Sequence, residues 1–270
     1  MALIDNTLFG TEYRVDMAMQ RLKSFEQKAL QMNPDGYWVA FSGGKDSIVI
    51  LDLVRKSGVK HTAHFNLTTV DPPELIGFVR ENYPDVKREV PTKSMYRLII
   101  YNMMPPTRIA RYCCDELKER GGVGRLVVTG IRWAESLQRS KRVMVESCYK
   151  HKSKVFLHPI IDWTDADVWE YIKQNNLPYC SLYDEGWKRI GCIGCPMGGT
   201  KSMLRQFERW PQFEKMYKRA MVRAMERKKE LELRGALKRK LEFMNAEDMF
   251  RWWVHGKEAT SDQSQIMIFD

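Results

Sequence analysis

The chain lacks any long hydrophobic run. Nowhere in its 270 residues does an apolar stretch approach the ~20 residues that a membrane-spanning helix needs. The opening Met1-Ala-Leu-Ile-Asp-Asn6 lacks the basic-then-apolar layout of a secretory leader, so a soluble cytoplasmic protein without membrane partners is expected. Six cysteines are too few for a disulfide scaffold at this length. The G-x-x-x-x-G-K-[ST] spacing of a P-loop is absent, which excludes that form of phosphate grip. No internal repeat or low-complexity segment interrupts the chain. What is present is an ordinary globular composition, 44% hydrophobic and 29% charged, in a length that suits one large domain with appendages.

The net charge of +10 is unevenly spread: Lys201 to Glu242 carries 14 Lys/Arg against 6 Asp/Glu. Such a stretch is either the solvated face of long helices or a surface for nucleic acid and other anions. Apolar spacing predicts a helix over about 11–32, ended by Asn33-Pro34-Asp35-Gly36. A buried strand over Tyr37–Phe41 follows, then a helix from about Asp46 to Ser57 closed by Gly58. Strands are expected over 60–67, 86–90, 125–129 and 158–161. Helices are expected over 72–82, 94–101, 108–120 and 165–175, the last capped by Thr164. Tyr149 to Lys154 reads as a basic surface loop. Strands alternating with helices predict an α/β fold, an open, mostly parallel, doubly wound sheet. After Gly191 only helices are expected. The boundaries follow: an N-terminal helix over 1–35, a nucleotide-binding and cysteine-bearing domain over 36–199, and a basic helical region over 200–270.

Ser42-Gly43-Gly44-Lys45-Asp46-Ser47 lies between the first strand and its helix. Two glycines let the backbone turn sharply and bring N–H groups close to an anion, and the helix adds its positive end. Ser42 and Ser47 can donate hydroxyl hydrogen bonds, and Lys45 supplies a point charge. Four cysteines form two close pairs, Cys113-Cys114 and Cys192-Ile-Gly-Cys195. The C-x-x-C spacing lets one loop place two thiolates on one metal centre. Adjacent thiols rarely bridge each other, because the geometry is strained. Spacing alone leaves three readings open: structural zinc, an iron–sulfur cluster, or a C-x-x-C redox switch beside unrelated buried cysteines.

The hexapeptide resembles the S-G-G-x-D-S loop of the adenine nucleotide alpha hydrolase (PP-loop) superfamily. That resemblance implies a grip on the pyrophosphate of ATP or the phosphosulfate of a sulfonucleotide. Arg111-Tyr-Cys113-Cys114 with Leu117-Lys118, followed by Cys192-x-x-Cys195, is similar to the cluster motif of iron–sulfur adenosine phosphosulfate and phosphoadenosine phosphosulfate (APS/PAPS) reductases. Gly130-Ile-Arg132-Trp-Ala-Glu135-Ser136-Leu-Gln-Arg139 is similar to their G-x-R-x-x-[QE]-S-x-x-R segment. Pro159 to Trp169 resembles P-x-x-D-W-T-x-x-D-V-W, and Pro178 to Gly186 matches the approach to the second cysteine pair. The resemblance covers roughly residues 37 to 197. It implies a [4Fe–4S] cluster on Cys113, Cys114, Cys192 and Cys195, in one site with the nucleotide, and Mg2+ is a further candidate there.

Around the nucleotide, Gly130, Arg132, Glu135, Ser136, Arg139 and Arg111 are expected to contribute, with guanidinium forks suited to phosphate or sulfate oxygens. Of the family's nucleoside-holding turn only Thr68 or Thr69 and Pro73-Glu74 carry over. Trp163, Trp169, His64 and His158 are read as structural. Lys45, Asp46 and Arg132 are the catalytic candidates. The family's reductases attack sulfur with a cysteine near the C-terminus in an E-C-G-x-H motif, whereas the stretch Ala259 to Asp270 contains no cysteine. Cys180 is read as buried. Cys148, near Lys150, His151 and Lys152, is the candidate surrogate nucleophile. The leading expectation is therefore ATP-dependent adenylation and sulfur transfer, with a nucleic acid on the basic helices as a candidate acceptor. The alternatives are a sulfonucleotide reductase using Cys148 or an external thiol or electron-donor protein, and a non-catalytic nucleotide sensor. The oligomeric state is not legible.

Overall fold

The computed structural model describes residues 3–7, 10–149, 153–236 and 243–256. The chain divides into two compact units, each built from separate stretches. The first comprises 1–66, 73–89 and 120–190; the second comprises 67–72, 90–119 and 191–270.

The first unit opens with an antiparallel pair, β1 (Ile4–Thr7) and β2 (Gly10–Tyr13). The single helix expected over 11–32 is instead this second strand and two helices, α1 (Arg14–Ser24) and α2 (Glu26–Met32). They part at Phe25, whose backbone leaves the helical region at φ −103° and ψ 2°. The chain then alternates through β3 (Tyr37–Phe41), α3 (Lys45–Ser57), β4 (His61–Asn66), α4 (Pro73–Asn82) and β5 (Lys87–Glu89). After an excursion into the second unit it returns as β6 (Leu126–Val128), β7 (Val145–Ser147), β8 (Val155–Leu157) and α7 (Asp165–Gln174).

Six strands form one sheet in the order β5-β4-β3-β6-β8-β7, parallel except for β7, which runs antiparallel to β8. The expected strand over 158–161 is a turn, and the sheet instead uses β8 and β7. Pro159 has no N–H to give a ladder. The apolar Ile160 and Ile161 are buried without pairing in the sheet. From β3 the chain steps to β4 and β5 on one side, and β6 lies on the other. The order therefore reverses outside the C-terminal ends of β3 and β6, the crevice where open α/β sheets hold ligands.

Burial explains why α3 is fixed so firmly there. Ile48, Val49, Ile50, Leu51, Leu53 and Val54 are all within 1% of complete burial, so the helix is apolar on nearly every side. Gly58, left-handed at φ 73°, closes it. At the other end of β3, buried Arg125 donates to the carbonyls of Asp35, Gly36 and Tyr37 and clamps the strand's start. Thr164 caps α7, taking the Asp167 N–H on its hydroxyl oxygen while the Asp167 carboxylate takes the Thr164 N–H.

The second unit is helical: α5 (Met95–Asn102), α6 (Tyr112–Leu117), α8 (Gly199–Arg209), α9 (Pro211–Leu233) and α10 (Ala246–His255). The helix expected over 108–120 shortens to α6, because Thr107 to Arg111 form a turn in which the Thr107 N–H donates to the Ala110 carbonyl. The core gathers Met203, Phe207, Tyr217, Met221, Met249, Phe250 and Trp253. No helix among the described residues is long and apolar enough to cross a membrane.

Candidate functional site

In the first unit the turn after β3 is built by Gly43 at φ 70°. A Cβ there would meet Leu75 Cδ1 at 2.7 Å and Val79 Cγ2 at 2.8 Å, so neither the backbone conformation nor the space admits a side chain. Ser47 Oγ holds the loop from inside. It donates to the Gly44 carbonyl at 2.8 Å and accepts from the Ser42 N–H at 3.1 Å. The Lys45 N–H, at the start of α3, donates to Tyr183 Oη at 2.9 Å. Tyr183 is held edge-on by Trp169, which also packs on Tyr179. Trp169 thus supports the loop, while Trp163 lies in the core.

Two buried cations flank the loop. Lys45 Nζ lies 3.0 Å from Asp165 Oδ1 and 3.4 Å from Asp46 Oδ2. Arg132, 1% exposed, donates through Nε to Asp46 and through Nη2 to Asp165, both at 2.7 Å. Burial would lower the guanidinium's affinity for its proton, but the two carboxylates outweigh it and raise its pKa. Burial likewise pushes Asp165 up, yet hydrogen bonds from Lys45 and Arg132 hold it below the ordinary carboxylate range. Gly130 sits where a Cβ would meet Asp46 Cβ at 2.9 Å, so the end of β6 approaches α3 closely only without a side chain. Glu135 accepts the Arg132 N–H at 3.0 Å and pairs with Arg139, and Ser136 Oγ accepts the Arg139 N–H. The structure thus brings Ser42, Gly43, Gly44, Lys45, Asp46, Ser47, Gly130 and Arg132 together, with Glu135, Ser136 and Arg139 behind them. Sequence reasoning missed Asp165 and Tyr183. Both lie inside segments quoted for their motif spacing, but neither was given a chemical role.

The remaining thiols of this unit differ from each other. Cys180 is 1% exposed, and burial pushes its thiol up. Cys148 is partly exposed, and its N–H donates to the Lys154 carbonyl at 2.8 Å. Its neighbours Lys150, His151 and Lys152 lie outside the described residues, as does the stretch from Ala259 to Asp270.

The second unit carries the other four thiols, all free. The turn Cys192-Ile-Gly-Cys195 is pinned through its backbone. The Ile193 N–H donates to the Val70 carbonyl, the Gly194 N–H to Gln206 Oε1, and Tyr217 Oη to the Ile193 carbonyl. Gly194 is left-handed at φ 73°, and a Cβ on it would strike Tyr217 at 2.9 Å, with Phe207 and Trp253 at 3.1 Å. An aromatic wall therefore seats this turn. Thr68, expected at the nucleotide, is buried in this unit. Its hydroxyl donates to Asp71 Oδ1 at 2.7 Å and takes the Cys192 thiol at 3.4 Å.

Charge around the thiols is mixed. A hydrogen bond from Cys113 lowers the Cys114 thiol against its burial, helped by Arg111, whose Nη2 lies 3.4 Å from the sulfur, and by Lys118. The same hydrogen bond, with burial, raises Cys113. Burial raises Cys192, opposed by the Lys118 ammonium, which faces both Cys192 and Asp71. The donor set is four thiols with two cations, Arg111 and Lys118, beside it, and these cations favour the thiolate at Cys114. Among the described residues no three Cys, His, Asp or Glu side chains converge on one point as a single metal ion requires. The cysteine motif includes Lys118 without a chemical role, and sequence reasoning gives Asp71 no place at the thiols; the structure sets both beside Cys192.

An open parallel sheet with a glycine loop and paired cations at its switch point defines an adenine nucleotide alpha hydrolase-like α/β fold. Residues 36–197 match the phosphoadenosine phosphosulfate reductase domain, and the chain belongs to that family. It is 41% identical over 88 residues to an adenosine 5'-phosphosulfate reductase of Oceanobacillus iheyensis, a match covering 33% of this chain and 36% of that one. It is 31% identical over 196 residues to an uncharacterized protein of Methanocaldococcus jannaschii, covering 65% of this chain and 40% of that one. The chain thus spans well under half the length of either relative. A crystal structure of PAPS reductase from Candida auris, a phosphate complex, is similar at a TM-score of 0.46 and 23% identity, covering 66% of this chain and 93% of that one.

Proposed function

We propose that the first unit binds ATP at Ser42–Ser47 and activates an acceptor by adenylation, and that the chain then directs sulfur to that acceptor. The observation that carries this reading is the pair of buried cations, Lys45 and Arg132, beside a glycine turn and a helix start. An acceptor oxygen attacks the α-phosphorus, a P–O bond forms, and the bond to the leaving pyrophosphate breaks. Loop N–H groups and Lys45 stabilise the leaving charge, and Arg132 the oxygens of the α-phosphate. Hydrosulfide from a sulfide donor then displaces AMP: a bond to sulfur forms as the bond to the AMP oxygen breaks. Asp46 and Asp165 are the carboxylates that would face Mg2+ carried in with the nucleotide. The acceptor is a nucleic acid, and the work is done in the reducing cytoplasm.

Cys113, Cys114, Cys192 and Cys195 would hold a [4Fe–4S] cluster. Their all-thiol chemistry fits it, and a multinuclear group does not need its ligands drawn onto one point. When bound, the cluster would supply a thiolate-held iron centre for sulfur delivery. Arg111 and Lys118 balance the negative charge of the thiolates.

A second reading, sulfonucleotide reduction, is favoured by the identity to an APS reductase. It needs a thiol nucleophile at the nucleotide's sulfur: Cys148 or an external thiol. Cys180 is sealed and its thiol is raised, which weighs against it. A chain that senses nucleotide without turnover is the third reading, and turnover excludes it.

The test is anaerobic purification with iron and sulfide analysis, followed by two assays. Pyrophosphate release from ATP with candidate acceptors supports adenylation. Sulfite release from APS or PAPS with a thiol donor supports reduction, and its survival in Cys148→Ser would remove Cys148 from the chemistry. Absence of iron in the anaerobic protein overturns the cluster. Gly43→Ala with Gly44→Ala should abolish nucleotide binding; unchanged affinity would defeat the loop assignment.

A further inference from the structure

Among the described residues the second unit carries a row of cations that pair with none of its acids. On α9, Lys215, Arg219, Arg223 and Arg227 recur every fourth residue and are all exposed. Like charges at this spacing repel along a helix. Nearby, Lys218 pairs with Glu214 and Glu247, and Arg234 beyond the helix end pairs with Glu230. Among the described residues the four in the row form no ion pair, although Glu226 lies close in sequence. Successive members rise about 6 Å along the axis, which suits successive phosphates of an extended strand.

The row borders a groove of about 450 Å³ between α9 and α5. Its walls include Ile100, Met216 and Val222, with Arg219 and Arg223 on the same lining and Glu226 as its acid. Met216 is 41% and Val222 46% exposed, so apolar surface is offered directly beside the charges. Tyr101, at the end of α5, stands 56% exposed and carries one further cation over its ring, Lys93 at 4.3 Å, beside Arg227 of the row at 5.4 Å. The Tyr96 hydroxyl, in the groove wall, is shut from solvent and has no hydrogen-bond partner among the described residues.

The geometry points to a single-stranded nucleic acid seated along the α5–α9 groove, its phosphates on Lys215, Arg219, Arg223 and Arg227 and a base against Ile100, Met216 and Val222. Charge complementarity calls for a polyanion. The apolar wall calls for one that carries flat, partly apolar groups, which inorganic polyphosphate lacks. An acidic peptide has charge but no such planes. The inference rests on the nucleic acid acceptor named above and gives it a surface.

The full-length protein is titrated into a fluorescein-labelled 20-nucleotide single-stranded RNA, and anisotropy is followed over a range of salt. Affinity should fall steeply with salt. Arg219→Gln/Arg223→Gln/Arg227→Gln should weaken binding and lower the log–log salt slope by about 0.7 per arginine, the value for a single strand. Val222→Gln should weaken RNA about tenfold while leaving inorganic polyphosphate unchanged, because it removes apolar contact and no charge. Circular dichroism establishes that each variant is folded. Lys173→Gln, a cation change on α7, should bind as the parent does. An unchanged slope in the triple variant, equal loss for polyphosphate in Val222→Gln, or tighter binding to phosphatidylserine vesicles or polyglutamate than to RNA would each overturn the proposal. Binding is read without turnover, so the two readings separate. RNA binding without pyrophosphate release sinks the adenylation reading alone. Pyrophosphate release without RNA binding sinks the groove alone.

Discussion

Arg132 shows what a single buried charge holds in place. Its Nε and Nη2 each bind a different carboxylate, joining the end of β6 to the starts of α3 and α7. Arg132→Met leaves Asp46 and Asp165 to Lys45 alone. Breaking a buried pair costs about 3–5 kcal/mol; since Asp165 is mostly exposed, a loss of about 2 kcal/mol in urea unfolding is the expected outcome. Arg132→Lys should restore less than half, because one ammonium cannot reach two acids as a fork does. A fully stable methionine variant would show that the pairs do not hold the crevice. Histidine sets the acid side. Burial lowers both His158 and His64, against Glu146 and Glu89 respectively. Each binds a proton more readily unfolded than folded, so stability is full above the unfolded value of about 6.5 and falls as pH drops below it. Melting at pH 7.5 and 5.5 should show this loss, and His158→Gln should shrink it. A melting temperature that rises on acidification would contradict both assignments.

Among the elements, helix α7 gives the plainest case of sequence dictating structure. Thr164 and Asp167 form a reciprocal cap, and Thr164→Ala should cost about 1 kcal/mol in chemical unfolding. A cost below 0.3 kcal/mol, an order-of-magnitude floor, would mean that tertiary packing sets this end by itself. Strand β3, its glycine loop and α3 were legible for a similar reason: an apolar run, a turn signal and a left-handed Gly58 agree with one another. The sheet's far edge was not legible. β7 and β8 are three residues each, too short for a period of two to declare itself, and the strand assignment fell on His158 to Ile161, just past the apolar Val155-Phe156-Leu157 of β8. The N-terminal pattern hid the break at Phe25, since no glycine or proline marks it. In the site, residue types that bind phosphate or iron announced themselves. Asp165, Tyr183 and Asp71 did not, and Lys118 did so only as a motif letter, because their roles come from what they touch across the fold. Thr68 was placed at the nucleoside by its resemblance to the family's turn; in the structure its hydroxyl lies between Asp71 and Cys192.

Across the whole molecule, the two units make the ligand assignments separable. The glycine loop, Arg132 and Asp165 belong to the first unit, and the four thiols with Arg111, Lys118 and the aromatic wall belong to the second. A ligand that binds only the folded state adds stability in proportion to the logarithm of its concentration, about 2.7 kcal/mol at a hundred times its Kd. Amide hydrogen exchange can place that gain. ATP should slow exchange most in β3, in the first turns of α3, and at 129–132 after β6. Anaerobic extraction of iron with a chelator should speed exchange most at α6, at Cys192–Cys195 and in α8, whose Gln206 anchors the Gly194 N–H. Local opening differs from place to place in a protein, so the pattern carries the information and the total does not. If ATP protected only the second unit, the nucleotide would have been assigned to the wrong residues. If chelation left the cysteine turn untouched, its backbone hydrogen bonds and the Tyr217, Phe207 and Trp253 wall would suffice to hold it without metal.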